Sequence, residues 1–482
     1  MTSTFSVSGR SVRIPTLGIA LALAIVGTLR AEDAISLGDL RAGVVTSPEE
    51  QAMGRDFIAA ARKQLVFIED PLLVDYLDKL GARLARSLEG DVDSLRFFLI
   101  DSPLINAFAG PGSRLAVFTG LISATKTEAE LASVIAHELG HIAQRHLPRM
   151  MDRARQRKLP TTAGILAAIL LGGQAGAAAM AATSGAAMAD QLSYSREFER
   201  EADVLGLSIL SAADYPTEAM IRFLKRLDQE TRLQSAGGPE YLRTHPLTEN
   251  RIAMVEARIH GYPSLDEQPS LDFYHARARV RALFGAGTAE SVSADLLHEQ
   301  ASDDAMMVRA ARYGLVLALN RFGNYDDAIQ YATDLLDEYP EELAYQLALA
   351  ETYLQSGRAA KAVDVLHDLA QKDPDALAVA YYHADALMKS RRLDEARQVL
   401  RSAIRNAPGS ASLHRLLARV EGEAGNLALS FQALSEYHVL SDQLDDAIAD
   451  LKNALTHAGA SAYLEASLSA RLTELETLRG QK

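Results

Sequence analysis

Two histidines and a glutamate in one stretch of sequence have the types and spacing of a metal-dependent hydrolase. His137 and His141 are four residues apart in the segment ELASVIAHELGHIAQRHL, so a helix would place both imidazoles on one face, one turn apart. Glu138, beside the first histidine, would then lie close to the same metal ion. The pattern predicts two zinc ligands and a general base for peptide hydrolysis. The alternative is a surface helix with polar side chains, because this short motif also occurs by chance.

The residues around the motif predict a helix with a defined start. Thr127 is followed three positions later by Glu130, which is the spacing of a capping box. Apolar residues then recur at helical spacing, namely Leu131, Val134, Ile135, Leu139 and Ile142. We therefore expect a regular helix to hold the two histidines.

A second segment, SREFEREADVLGLSIL, offers a third metal ligand. Catalytic zinc needs three protein ligands and one open position. Glu199 and Asp203 are four residues apart, so a helix would place Glu199 toward the metal and Asp203 where it can hold a ligating imidazole. Glu197 and Glu201 are each two residues from Glu199 and would face water on the far side of the helix. The alternative is a charged, solvated helix face.

These segments resemble the gluzincin peptidases related to the CAAX-prenyl proteases and the mitochondrial Oma proteases. HELGH is followed by S-R-x-x-E-x-x-A-D, whose glutamate is the third zinc ligand in that family and falls on Glu199. Thr244-His245-Pro246 and then Arg251 match the family's His-Pro…Arg segment. Two upstream blocks match its strand region, namely Asn106-Ala107-Phe108-Ala109 and the run from Gly112 to Leu121. The resemblance implies Glu199, rather than Glu201, as the third ligand.

The chemistry implied is metal-assisted hydrolysis. Zinc lowers the pKa of a bound water from about 15.7 to about 7, and Glu138 would accept its proton and pass it to the leaving amine. Arg251 is the candidate for stabilising the oxyanion, with a structural salt bridge as the alternative. The strand LAVF, residues 115–118, is a candidate for accepting substrate as an added strand; the alternative is a buried core strand.

The resemblance also implies a regulatory role for His245. In one periplasmic branch of the family the matching histidine is a fourth zinc ligand, which fills the open position and makes the enzyme latent. The residue after it is Pro246, and a histidine before proline is otherwise an ordinary loop residue. We expect His245 to be such a gate.

The N-terminal residues predict export. Arg10 and Arg13 precede an apolar run from Thr16 to Leu29, which is short for a membrane span. We expect a cleavable signal peptide over residues 1–31, with an uncleaved anchor as the alternative. No cysteine follows the run, and the chain has none at all, so lipid attachment to cysteine, disulfides and thiolate metal sites are excluded.

The charge composition bears on one class of partner, nucleic acids. A net charge of −14, from 49 basic and 63 acidic residues, argues against nucleic-acid binding.

Residues 160–190 are rich in alanine and glycine. A Gly-Gly-Gln break favours a helical hairpin or a cover over the active site in this segment, with a membrane span as the alternative, which leaves peripheral membrane association open.

The C-terminal half repeats with a period of 34 residues. Ala328, Ala362 and Ala396 are each 34 residues apart, and other positions share the spacing, namely Pro340, Pro374 and Pro408, and Gly323, Gly357, Arg391 and Gly425. The form and period resemble tetratricopeptide repeats. Such helix pairs stack into a solenoid with a concave surface that usually binds peptides or partner proteins; the alternative is a scaffold for the protease.

The predicted architecture is mainly α. It consists of a signal peptide (1–31), an α+β zinc metallopeptidase domain with a small sheet (47–262), a linker (263–270) and an α-solenoid of tetratricopeptide type (271–482). Over nearly the whole chain it resembles the periplasmic β-barrel assembly-enhancing protease family of Gram-negative bacteria.

That resemblance implies a periplasmic endopeptidase with one zinc ion per chain and a chaperone-like repeat domain. Its implied partners are unfolded or misassembled outer-membrane proteins and, through the repeats, the outer-membrane assembly machinery. The alternative is a repeat scaffold or holdase whose protease domain is inactive or latent. The intact set of His137, Glu138, His141 and Glu199 speaks against decay but not against latency.

Overall fold

The computed structural model describes residues 43–156, 185–233, 240–459 and 461–480. The expected signal peptide lies outside these ranges, and so do residues 160–184 of the alanine- and glycine-rich segment. Within the described ranges, no helix combines the length and the apolar character needed to cross a membrane.

Two small sheets lie in the described residues of the N-terminal part. Their strands are β1 (Gly43–Val44), β2 (Val66–Ile68), β3 (Glu89–Gly90), β4 (Arg96–Asp101), β5 (Ala107–Gly110) and β6 (Arg114–Phe118). β1 and β3 form a parallel pair. The other four follow the order β2-β4-β6-β5, in which β4 is antiparallel to β2 and parallel to β6, and β6 is antiparallel to β5.

The strand LAVF is in the middle of this sheet. It forms most of β6, whose five residues are all buried, and β4 and β5 pair with its two sides. The expectation that it accepts substrate as an added strand is therefore wrong, because its backbone groups are already paired; the alternative, a buried core strand, is what the structure shows. Among the described strands, β5 is at the edge of the sheet, with β6 as its neighbour.

Helices surround the sheet and carry the motif residues. They are α1 (Pro48–Arg62), α2 (Pro71–Ala85), α3 (Thr119–Ala124), α4 (Glu128–Ala143), α5 (His146–Gln156), α6 (Gly185–Ala212), α7 (Glu218–Leu233), α8 (Glu240–Thr244) and α9 (Glu249–Ile259), with a 3-10 turn at Val92–Ser94. α4 contains the HELGH motif and packs against α6, α7 and the edge strand β5. It is buried on almost every side, which excludes the surface-helix alternative.

The start of α4 differs in one detail from the expected capping box. The Thr127 hydroxyl accepts a hydrogen bond from the Glu130 N–H, as expected. The Glu130 carboxylate instead accepts from the N–H of Lys126 and pairs with Arg226 at 2.6 Å. The Lys126 N–H and the half-buried guanidinium of Arg226, on a neighbouring helix, thus take the place of the second capping bond.

Among the described residues, twelve further helices form the C-terminal solenoid. They are α10 (Leu271–Phe284), α11 (Ala289–Glu299), α12 (Ala305–Arg321), α13 (Tyr325–Glu338), α14 (Leu343–Gln355), α15 (Ala359–Lys372), α16 (Leu377–Lys389), α17 (Leu393–Asn406), α18 (Ala411–Glu423), α19 (Leu427–Leu440), α20 (Leu444–Thr456) and α21 (Ala462–Gly480). Consecutive helices pack against one another along this part of the chain. The predicted mainly α class is confirmed.

The repeat period has a structural cause at the turn within each helix pair. Gly323, Gly357 and Gly425 adopt positive φ angles of 84°, 75° and 79°, a conformation that glycine adopts without steric penalty and that commonly ends a helix. Arg391 occupies the same position of its repeat with φ 62°. The turn is thus kept even where the glycine is absent.

Buried ion pairs join the solenoid to the N-terminal part. Arg279 of α10 is fully buried and contacts Asp70, before α2, and Glu351 of α14 at 2.6 and 2.7 Å. Near the far end of the solenoid, Asp442 pairs with Arg114 of β6. Residues 263–270, between α9 and α10, contain neither helix nor strand.

Candidate metal centre

The two motif histidines face one another on α4. The Nε2 atoms of His137 and His141 are 3.0 Å apart, and the rings meet edge to face. The His137 side chain is 2% exposed and that of His141 13%. The four-residue spacing on a regular helix therefore produces the convergence that the sequence predicts.

Glu199 reaches both imidazoles from α6. Its Oε2 lies 3.3 Å from Nε2 of His137 and its Oε1 3.4 Å from Nε2 of His141. The two helices can approach this closely because Gly140 has no side chain: a Cβ atom there would lie 2.8 Å from the carbonyl oxygen of Ala202. The glycine of HELGH thus sets the distance between the helix with the histidines and the helix with the glutamate.

His245 completes the cluster from the loop after α8. Its Nδ1 lies 3.3 Å from Nε2 of His137 and 3.0 Å from Oε1 of Glu199. The backbone N–H of His245 donates to the carbonyl oxygen of Tyr241, and the two rings stack at 4.8 Å. One ligand atom from each of His137, His141, Glu199 and His245 lies within 4.8 Å of all the others.

The hydrogen bonds behind the cluster direct its lone pairs inward. Nδ1 of His137 is 2.9 Å from Oδ1 of Asp203, and a carboxylate can only accept, so the proton is on Nδ1 and the lone pair of Nε2 points into the cluster. Nitrogen atoms with facing lone pairs cannot all bond to one another. Three imidazole nitrogens and one carboxylate oxygen around a common point are the donor set of a transition-metal ion, so the residues present fit a metal.

The charges of the cluster suit a cation. Burial lowers the pKa of His141 to about 3, which keeps the imidazole neutral and able to bind metal. Although burial raises the pKa of Glu199, nearby His245 and Arg251 lower it well below its usual range. Burial also lowers the pKa of His137, but hydrogen bonds to Asp203 and Glu199 outweigh burial and raise it to about 9. A metal ion bound to Nε2 of His137 would replace the second proton of this ring and leave the proton on Nδ1, toward Asp203, in place.

Glu138 lies beside the cluster rather than in it. It is 1% exposed, and its Oε1 is 3.3 Å from Nε2 of His245 without a hydrogen bond to any described residue. Burial raises the pKa of Glu138, and the attraction of His245 and His137 offsets this only in part. A carboxylate with a raised pKa is a stronger base, which suits the removal of a proton from water.

Arg251 lies behind the cluster and is held by two carboxylates. Its Nε and Nη2 donate to Asp203 at 2.6 and 2.8 Å, and its Nη1 is 2.8 Å from Oε2 of Glu199. This is the geometry of a structural salt bridge, the alternative to an oxyanion role. It places Arg251 where it holds Glu199 and Asp203 in position.

The two remaining glutamates of α6 differ from one another. Glu197 is exposed, as expected. Glu201 is only partly exposed and is held by α5: its Oε2 accepts from Nε2 of His146 at 3.0 Å and from Arg149 at 2.6 Å. Nδ1 of His146 in turn lies 2.8 Å from Nδ1 of His141. Sequence reasoning missed His146; its signal was a third histidine five positions after His141.

Comparison with known proteins agrees with this geometry. Residues 71–259, which contain the whole cluster, match the model of peptidase family M48. Tetratricopeptide repeat models match residues 293–342, 319–380 and 356–420, which confirms the predicted repeats.

The full-length relatives decide the family. The chain is 31% identical to the β-barrel assembly-enhancing protease of Escherichia coli (strain K12) over 473 residues, which cover 97% of the chain and 96% of the relative. The chain belongs to the β-barrel assembly-enhancing protease family. The member from Yersinia pestis is 29% identical over 94% of the chain and 93% of its own length. This family thus shares both halves of the chain.

A more distant relative matches a smaller part. The mitochondrial metalloendopeptidase OMA1 of Arabidopsis thaliana is 28% identical over 239 residues, which are 48% of this chain and 42% of the relative. As a member of the β-barrel assembly-enhancing protease family with an M48 domain, the protein is a metallopeptidase, as the sequence predicts.

Proposed function

We propose that the protein is a zinc-dependent endopeptidase of the periplasm that acts on unfolded or misassembled outer-membrane β-barrel proteins. The observation that carries this proposal is the buried cluster of His137, His141, Glu199 and His245 beside Glu138. The name of the relatives, β-barrel assembly-enhancing protease, supports the substrate class and the compartment.

Zinc is the metal that best fits the donors. His137, His141 and Glu199 provide the set of two imidazoles and one carboxylate found in catalytic zinc sites. Bound zinc supplies Lewis acidity, which acidifies a water molecule and polarises the scissile carbonyl group. Asp203 fixes the tautomer of His137, and Arg251 holds the carboxylates of Glu199 and Asp203.

Glu138 moves the proton in this mechanism. It takes the proton of the attacking water and later donates it to the leaving amine. Its burial and raised pKa prepare it for both steps. The edge strand β5, which packs against α4, is the place where an extended substrate would add to the sheet and present its peptide bond to Glu138.

His245 makes the resting enzyme latent in this proposal. Its Nδ1 takes the fourth position of the cluster, and its Nε2 is 3.3 Å from Oε1 of Glu138. One ring thus blocks both the place of the attacking water and the base that would deprotonate it. Activity requires the loop of His245 to leave, and a bound substrate or partner must supply the free energy for this.

The solenoid would bring substrate and partners to the protease. Tetratricopeptide repeats stack into extended surfaces that bind proteins, and we propose that this one contacts the outer-membrane assembly machinery and gives the protein a chaperone-like role. The second candidate function, a latent scaffold or holdase, is favoured by the position of His245, because a permanently closed centre would leave binding as the remaining activity.

Substrate trapping tests the proposed function. The purified Glu138→Gln variant should bind zinc, fail to hydrolyse casein and retain outer-membrane β-barrel precursors. Wild-type protein should hydrolyse casein, and a chelator should abolish this activity. Hydrolysis that survives complete removal of metal, or full turnover by Glu138→Gln, would contradict the proposed mechanism. Binding of precursors without hydrolysis by any variant would favour the holdase.

A further inference from the structure

The two histidines on α4 are supported in different ways. Nδ1 of His137 contacts the Asp203 carboxylate directly at 2.9 Å. Nδ1 of His141 contacts another imidazole, that of His146, at 2.8 Å, and His146 contacts the Glu201 carboxylate at 3.0 Å. Both supporting carboxylates, Asp203 and Glu201, come from α6.

The hydrogen bonds that join His141, His146 and Glu201 show where the protons lie, and Glu201 is the starting point. Arg149 contacts both oxygens of Glu201, at 2.6 and 3.3 Å, and so holds this side chain as a carboxylate. A carboxylate accepts only, so Nε2 of His146 donates to Glu201, and Nδ1 of His146, 2.8 Å from Nδ1 of His141, is the atom that can accept. Nδ1 of His141 must then donate, which leaves the lone pair on Nε2, the atom that faces His137 and Glu199.

The backbone is built to place His146 there. On a continuous helix, a residue five positions after His141 would point about 140° away from it. α4 ends before Arg145, which adopts a positive φ of 54° and turns the chain into α5. The Arg145 side chain is anchored by the carbonyl oxygen of Val45 and by Glu50, both at 2.6 Å, and these contacts offset the strain of the turn.

The ring of His146 is also locked in place. It is 4% exposed and stacks on Phe198 of α6 with centroids 4.3 Å apart and 14° between the planes. Arg149 lies over the same Phe198 ring and holds both oxygens of Glu201. A buried histidine with both nitrogens committed and its face packed has no freedom to adopt another tautomer.

We propose that His146 and Glu201 are positioning residues that hold His141 in the tautomer and orientation needed to bind the metal ion. The inference rests on the proposed metal centre and extends it to residues outside the family motif HExxH…E. Loss of such a partner typically weakens metal affinity by about 10–100-fold. His146 and Glu201 would therefore set how tightly the enzyme binds its metal ion.

The test is zinc affinity of the purified full chain, measured by competition with a chromophoric chelator. His146→Phe keeps the stacking on Phe198 but removes both hydrogen bonds, and Glu201→Ala removes the carboxylate at a partly exposed position. Both should weaken zinc binding about 10–100-fold, and Glu201→Gln, which keeps an accepting oxygen, should weaken it less. Glu197→Ala, an exposed glutamate on the same helix, should change nothing.

Two reference measurements separate the possible failures. The d–d absorption of the cobalt-substituted protein should change in His146→Phe but not in Glu197→Ala, and thermal unfolding of the metal-free forms reports whether each variant is folded. If Glu199→Gln weakens zinc binding while folded His146→Phe and Glu201→Ala bind zinc as tightly as wild type, the positioning role is wrong. If Glu199→Gln also binds zinc normally, the proposed metal centre itself is wrong.

Discussion

Arg114 and Asp442 are 328 residues apart in the chain and form a buried, two-pronged salt bridge. Nε and Nη2 of Arg114 donate to the two carboxylate oxygens of Asp442 at 2.9 and 2.8 Å, and the two side chains are 5% and 9% exposed. Arg114 opens the central strand of the protease sheet, and Asp442 lies between α19 and α20 of the solenoid. The pair therefore links the end of the repeat array to the catalytic half.

Asp442→Asn should destabilise the protein by about 3 kcal/mol, because the buried guanidinium of Arg114 loses its counter-charge. Asparagine tolerates the positive φ of 59° at this position, so the change isolates the charge. Urea unfolding measures the effect. The control is Asp445→Asn, whose exposed ion pair with Arg479 spans 3.8 Å and should contribute little. Equal effects of both changes would contradict the linking role.

Arg391→Gly should stabilise the solenoid by about 0.5–1 kcal/mol, because glycine adopts the positive φ of 62° without steric penalty. The change also removes an exposed ion pair with Glu423, which Arg391→Ala removes while keeping the strain. The unfolding temperature of Arg391→Gly should be higher than that of wild type, and that of Arg391→Ala should be equal to it or lower. A destabilised Arg391→Gly would show that Arg391 has a stabilising contact that outweighs its backbone strain.

His275 should make the protein sensitive to mild acid. Burial and then the charge of Arg309 lower its pKa to about 3, below the value of about 6.5 in an unfolded chain. Between these values the unfolded state binds a proton that the folded state does not, so stability falls as the pH drops from 6.5 toward 3. His275→Gln should remove about 2–3 kcal/mol of the loss between pH 6.5 and 4. Parallel pH profiles of the two proteins would contradict this.

How far the sequence predicts the site depends on whether a contact is local. A regular helix is enough to bring His137 and His141 together. The sequence pattern that indicates Glu199 also lies within a single helix. The 34-residue period likewise follows from local turns such as those at Gly323 and Gly357. These features can therefore be predicted from the sequence without knowledge of the fold.

Non-local contacts account for what was missed. The central position of β6 depends on strand pairing, which its own residues do not reveal. The sequence predicts that Glu201 faces water, because the helical spacing within α6 contains no information on the packing of α5 against it. His146 reaches His141 because α4 ends before Arg145, a residue with positive φ but with no glycine-like preference for it. Only the packed structure brings these groups together.

His245→Ala should raise the basal rate of proteolysis by about tenfold or more, because the fourth position and Glu138 become accessible without the opening step, and each 1.4 kcal/mol of opening free energy reduces the rate about tenfold. Initial rates on one unfolded substrate measure this. His260→Ala, at an exposed position of the same region, should match wild type. A slower His245→Ala enzyme would mean that His245 contacts substrate instead of restraining the centre.

The zinc content of Glu199→Gln is the most direct test of the proposed centre. Wild type and Glu138→Gln should each hold one zinc ion per chain after dialysis, because Glu138 lies beside the donor atoms. Glu199→Gln removes the negative ligand that bridges His137 and His141 at 3.3 and 3.4 Å, so it should retain little zinc. One zinc ion per chain in Glu199→Gln, bound as tightly as in wild type, would contradict the account.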